Sequence, residues 1–219
     1  MIDKSVIVLA KEKYGLVEVV KYLKAHFTKV LVFKGVRGDL FPEKALSGKY
    51  DICISYMSPW IVPSKMLSGI KAFAINFHPG PPEYRGIGCT NFAVYNNEPV
   101  YGVTAHLMGS KVDSGQIICV RRFPVLLGDS LFELTQKCYK QILELFYEVF
   151  GYYLKHKALP QSSFKWGKRL YTRKELDALC RIRPGMSPAE VKRRVKATDF
   201  PNMPKAYIQL FGCRFEYKE

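Results

Sequence analysis

No two of the six cysteines, Cys53, Cys89, Cys119, Cys138, Cys180 and Cys213, are spaced as a CxxC pair. That argues against a zinc knuckle or a disulfide framework, and several of them lie in apolar runs where a free thiol behaves as a small hydrophobe. No clean apolar stretch reaches the roughly 18 residues a membrane-crossing helix needs. The first residues lack a signal-peptide pattern, so a reducing cytoplasm is expected. A GxGxxG fingerprint is missing after the first apolar run, where only Gly15 occurs, and no GxxxxGK[ST] loop follows any strand. Dinucleotide and ATP chemistry are therefore disfavoured. Histidines number only four and no internal repeat is found.

What is present suffices for one sizeable core. The chain has 219 residues, 48% of them hydrophobic and 24% charged, which excludes global disorder. Sixteen glycines and 13 prolines suggest ordered loops. The formal net charge is +15, and residues 156–219 carry 15 Lys/Arg against 6 Asp/Glu. Such an excess suits anionic partners, from phosphorylated small molecules to RNA, without choosing among them.

Four short apolar runs, at residues 6–10, 29–33, 51–56 and 72–78, read as buried strands, and residues 15–26 as a helix. Continuous apolar strands separated by helix-length segments predict an α/β fold: a Rossmann-like, mostly parallel sheet with helices on both faces. A short helix is expected over residues 88–96, and strands over 100–108 and 116–123. Ser130 and Glu133 predict a capping box for a long helix running to about Leu154. Its rings on more than one face (Tyr139, Phe146, Phe150, Tyr153) suggest burial against a second subunit. After a linker-like stretch at 158–163, Thr172 with Glu175 and Ser187 with Glu190 predict two more capping boxes. A hairpin turning at Phe211-Gly212 is expected to end the chain. The reading is a main domain, residues 1–155, and a small α+β C-terminal appendage, residues 156–219, with short helices and a β-hairpin.

Ligands in parallel sheets gather at the carboxyl ends of strands. Asn76 and His78 lie there, two residues apart and so on one face of their strand. Pro79-Gly80-Pro81-Pro82-Glu83-Tyr84-Arg85-Gly86 follows as a stiff loop. Thr104 and His106 sit on the next strand, and Asp113 falls in the polar loop after it. A strand-end hydrogen-bond network and an active site would both use such groups.

The ordered set Asn76-Phe77-His78-Pro79, Tyr84-Arg85-Gly86, Gly102-Val103-Thr104-Ala105-His106 and Val112-Asp113-Ser114-Gly115 resembles the folate-dependent formyltransferase family. The resemblance covers roughly residues 1–155. It implies catalytic Asn76, His78 and Asp113, with Thr104 and His106 in supporting polar positions. The formyl donor it implies is N10-formyltetrahydrofolate, its ring held near Pro59-Trp60-Ile61-Val62-Pro63, so Trp60, Ile61 and Val62 become carrier-contact candidates. In this reading Asn76 and a protonated His78 donate to the formyl oxygen, and Asp113 favours the imidazolium. No metal is called for.

Residues 171–176, 193–197 and 206–208 are similar to the compact C-terminal region of sugar N-formyltransferases. That implies the amine of a nucleotide-linked amino sugar, dTDP-linked in many of those enzymes, as the acceptor, and a homodimer. Tyr84, Arg85 and Lys168 are the candidates for nucleotide or phosphate contact. The alternatives are formyl transfer to a purine precursor or an aminoacyl-tRNA, hydrolysis of formyltetrahydrofolate, and an RNA-binding module. The last lacks RRM-like aromatics or zinc-finger spacing, so neither nucleic acid nor a membrane is an expected partner.

Overall fold

The computed structural model describes residues 1–218. Strand β1 (Ile2–Ala10) leads into helix α1 (Leu16–His26), then β2 (Phe27–Lys34), a single-turn α2 (Glu43–Leu46) and β3 (Ile52–Tyr56). A second single-turn helix, α3 (Ser64–Leu67), precedes β4 (Phe73–His78). The two-residue β5 (Arg85–Gly86), α4 (Cys89–Asn96), β6 (Val100–Leu107), β7 (Ile117–Pro124) and α5 (Leu131–His156) follow. The remainder comprises β8 (Leu170–Tyr171), α6 (Arg173–Cys180), β9 (Arg181–Ile182), α7 (Pro188–Thr198), β10 (Tyr207–Leu210) and β11 (Cys213–Glu216).

The central sheet runs β2-β1-β3-β4-β6-β7. Its first four strands are mutually parallel, while β6 and β7 run antiparallel to their neighbours. Alternation along each strand divides the apolar residues between two faces. Val6, Val8, Ile52, Ile54, Ile75 and Phe77 share a core with α1 and α5. Ile7, Leu9, Cys53 and Ala74 pack instead with Ala45 of α2 and Met66 of α3. Both faces are thus covered, as a parallel sheet requires.

Helix α5 starts as its sequence predicts. The Ser130 hydroxyl accepts from the Glu133 amide, and the Glu133 carboxylate accepts from the Ser130 amide at 2.8 Å. Its apolar stripe Leu131, Leu134, Cys138, Ile142, Leu145 and Val149 is wholly buried. Three of the four rings expected to face another subunit, Phe146, Phe150 and Tyr153, are covered by this chain: Phe146 meets Tyr56 and Phe77, and Tyr153 packs edge-on to Phe73, while Tyr139 is half-buried.

Two further differences from the sequence reading stand out. Thr172 and Glu175 form a reciprocal capping box, whereas Ser187 only accepts from the Glu190 amide. The Glu190 carboxylate is drawn away by Arg194 Nε at 2.6 Å and by the Tyr95 hydroxyl at 2.9 Å. Those charge-assisted contacts win over a cap, and they clamp α7 onto α4. The pairs β5–β8 and β9–β10 were also unforeseen. Strands of two residues carry no periodicity to read.

Candidate active site

The register of β4 on β6 sets Asn76 opposite His106 and His78 opposite Thr104. Four polar side chains therefore share one patch of the sheet. Asp113 reaches the patch from the β6–β7 turn, in a left-handed conformation (φ 44°) that Asp tolerates better than most residues.

Its carboxylate is the hub. Oδ2 accepts from the Gly86 amide at 2.9 Å and lies 3.4 Å from His78 Nδ1. Oδ1 lies 3.3 Å from His106 Nε2 and 3.4 Å from Asn76 Nδ2. His106 is fixed by donating from Nδ1 to the Leu107 carbonyl at 2.8 Å, and its Nε2 lies 3.0 Å from Asn76 Nδ2. Asn76 Nδ2 thus holds two contacts, and the one to Asp113 is long and weak. His78 donates from Nε2 to the Tyr84 carbonyl at 2.7 Å. Gly80 makes that contact possible: a Cβ there would sit 2.8 Å from both His78 Nε2 and the Tyr84 carbonyl oxygen.

The electrostatics correct one expectation. Asp113 and His78 are only 5% and 3% exposed. Burial pushes the His78 pKa below its ordinary value, and the opposing pulls of Asp113 and the Tyr84 carbonyl do not restore it. The imidazole is therefore neutral near pH 7, not the cation the sequence reading assumed. Burial would raise the Asp113 pKa, but His78, the His106 hydrogen bond and the Gly86 amide outweigh it and hold the carboxyl at about 2. Cys89 Sγ lies 3.7 Å from His78 Nε2, but burial pushes its thiol far up, so it is inert as a nucleophile.

A cavity of about 530 Å³ opens over the patch. Asn76, His78, His106 and Asp113 line it, and so do Trp60, Ile61 and Val62. Its rim is built from the segments that follow β1, β2, β3 and β4, through Lys11, Arg37, Met57 and Pro79. This is the carboxyl-end position expected for a ligand of a parallel sheet.

The remaining sequence candidates lie elsewhere. Thr104 is fully buried and its hydroxyl donates to the Gly80 carbonyl at 2.8 Å, bracing the loop rather than facing the cavity. Tyr84 is buried, with its hydroxyl donating to Glu98 at 2.6 Å and accepting from Asn96. Arg85 donates from Nε to the Asp113 carbonyl at 2.7 Å and from Nη1 to the Gly167 carbonyl at 3.1 Å. Its guanidinium props the carboxylate loop. Lys168 is exposed and lies outside the cavity lining. None of the three is set to grip a phosphate in the cavity.

Sequence reasoning passed over Trp166. Its Nε1 donates to the Gly115 carbonyl at 2.6 Å, and its ring stands edge-on to His106 (4.9 Å between centroids) and His78 (5.9 Å). A lone tryptophan in a polar stretch offers no spacing signal. Its closeness to a cluster 50 residues upstream appears only once β5 pairs with β8.

Residues 43–150, which contain the whole polar patch, match the family model described as Formyl transferase. It is 27% identical over 163 residues to the GDP-perosamine N-formyltransferase of Brucella melitensis, an alignment covering 74% of this chain and 62% of that protein. The chain thus spans less than two thirds of that relative. Among solved structures, a 4-N formyltransferase from Francisella tularensis superposes with a TM-score of 0.78 at 21% identity, covering 98% of this chain and 96% of that one. An N-formyltransferase from Helicobacter canadensis, in complex with folinic acid and dTDP-3-aminofucose, superposes at 0.71 with 20% identity, covering 90% and 80%. At these identities the structural likeness is one of fold.

Proposed function

We propose that the protein transfers a formyl group from N10-formyltetrahydrofolate to the amine of a nucleotide-linked amino sugar. The observation that carries the reading is the convergence of Asn76, His78 and Asp113 on one cavity. Its size lies within the range of small-molecule sites, and Met57, Trp60 and Val62 supply the apolar wall a reduced pterin needs. The relatives support the acceptor class: one is named for a nucleotide-linked sugar, and a neighbour of the same fold was solved with folinic acid and a dTDP-linked amino sugar.

An unprotonated amine bonds to the formyl carbon, the bond from that carbon to the carrier nitrogen breaks, and the carrier leaves as tetrahydrofolate after regaining a proton from His78. Asn76 exchanges its weak contact with Asp113 for the formyl oxygen and donates to it as it gains negative charge, a contribution of about 3 kcal/mol for a well-aimed donor. His78, neutral in this surrounding, accepts the proton lost by the amine, at Nδ1. Asp113 lies beside that nitrogen and stabilises the imidazolium as it forms. Trp166, edge-on to both imidazoles, limits their exposure to solvent. A cytoplasmic setting fits six free cysteines, and among the described residues no helix is long and apolar enough to cross a membrane. The homodimer belongs to the same proposal and rests on resemblance.

The test is formylation of a panel of amines, read by product mass, with Asn76→Ala, His78→Ala and Asp113→Asn beside the wild type. Each substitution is expected to lower turnover by about 10²-fold or more while leaving carrier affinity nearly unchanged. Wild-type turnover in the His78 and Asp113 variants would refute the assignment. Formate release with no dependence on an amine would replace transfer by hydrolysis.

A further inference from the structure

Five cations that the proposed chemistry does not use line the same cavity: Lys111 on the β6–β7 turn, and a group of four, Lys11, Lys13, Arg37 and Arg173. The four come from three separate places, the segment after β1, the segment after β2 and the first turn of α6. Among the described residues none of them forms a salt bridge. The carboxylates nearest in sequence are engaged elsewhere: Glu12 pairs with Lys34 at 2.6 Å, and Asp39 accepts from the Val36 amide at 2.7 Å. Asp177 exerts a pull on Arg173 without bridging to it. Arg173 Nε is buried with no hydrogen-bond partner, a costly state for a guanidinium nitrogen.

The mutual repulsion shows in the titration of the group. Burial lowers the Lys11 pKa, and the charges of Lys13, Arg37 and Arg173 lower it further. Burial and Arg37 do the same to Arg173. Like charges gathered in a partly desolvated hollow, none of them held in a salt bridge among the described residues, destabilise the empty fold. A multiply charged anion entering between them removes the repulsion and satisfies the orphan donor. Lys13 lies over the ring of Tyr139, another wall of the cavity, at 5.7 Å.

We propose that Lys11, Lys13, Arg37 and Arg173 form a subsite for a phosphoryl group, a mono- or diphosphate, carried by the acceptor amine; naming the acceptor as its source rests on the formyl-transfer reading. A phosphoryl group matches the set better than a single carboxylate, since it brings up to two charges and three oxygens to four cations. The other source of anionic oxygen is the glutamate tail of the folate carrier, and the experiment separates the two.

Inorganic pyrophosphate is titrated into the full chain by calorimetry, alone and in the presence of tri-γ-glutamate, for the wild type, Lys11→Gln, Arg173→Gln and the double variant. Thermal melts establish that each variant is folded. Pyrophosphate is expected to bind the wild type, to weaken about tenfold with each lost charge, and to weaken further with added salt. Tri-γ-glutamate is expected not to displace it. Equal pyrophosphate binding in wild type and double variant, or no binding at all, overturns the subsite. Displacement by tri-γ-glutamate overturns its assignment to the acceptor. The titration needs no turnover, so a negative result leaves the formyl-transfer reading standing, and a silent turnover assay leaves this result untouched.

Discussion

The Asp113 carboxylate gathers an amide hydrogen and two imidazoles around itself inside a nearly closed surrounding. Its carboxyl titrates at about 2 instead of 3.8, so its contribution to stability is complete above pH 3.8 and is lost as pH falls toward 2. The shift corresponds to about 2 kcal/mol. His78 acts in the same sense. Its lowered pKa means that the unfolded chain binds a proton first, so acid below its ordinary value of 6.5 favours unfolding. Asp113→Asn is therefore expected to be less stable than the wild type by about 2 kcal/mol at pH 7, with the gap closing as pH falls from about 4 to about 2. Chemical denaturation across that range measures it, and a gap that stays constant into acid would contradict the charge-based account. At this scale the sequence told a good deal. Alternation alone put Asn76 and His78 on one face. The protonation state of His78 was not legible, because it depends on burial by Trp166 and the Tyr84 carbonyl, both brought in by tertiary contacts.

Among the elements, β5 has a reach beyond its two residues. Gly86 gives its amide to Asp113 and pairs with Tyr171 of β8, and the Ile87 amide donates to the Tyr171 carbonyl at 3.0 Å. The backbone at Gly86 is left-handed (φ 91°), and a Cβ there would lie 2.2 Å from the Tyr171 carbonyl oxygen. Gly86→Ala is thus expected to cost at least about 2 kcal/mol and to part β5 from β8. A thermal melt with near-ultraviolet circular dichroism reads both effects, the second through the Tyr171 ring stacked on Tyr84 at 5.3 Å. An alanine variant with an unchanged melt would show that the loop can move aside freely. The long elements were legible because they repeat: α5 shows its stripe and its cap in the sequence. Where one side chain had two partners to choose from, as Glu190 did between the Ser187 amide and Arg194, local pattern gave the wrong partner.

Across the whole molecule, residues after α5 are fastened to the rest at several points, among them β8 on β5, Trp166 on the Gly115 carbonyl, and α7 on α4 through Asn91, Tyr95 and Glu190. The C-terminal region is expected to unfold together with the central sheet. Hydrogen exchange should then give amides of α6 and α7 the same opening free energy as those of β3 and β4. Earlier exchange across α6 and α7 as a block would mark an independently melting unit. The sequence set the C-terminal region apart by its charge and its polar connector, yet neither feature reports on docking, which depends on contacts between residues as far apart as Arg85 and Gly167.

The shared use of Gly86 constrains how this scaffold tolerates recombination. Specificity is commonly exchanged between related enzymes by splicing one C-terminal half onto another. Here a splice placed before residue 170 would strip β5 of its neighbour and leave the carboxylate amide without support. Crossovers placed after Tyr171 keep that pairing intact, so chimeras built at that junction should inherit the reactive centre and vary only what surrounds it.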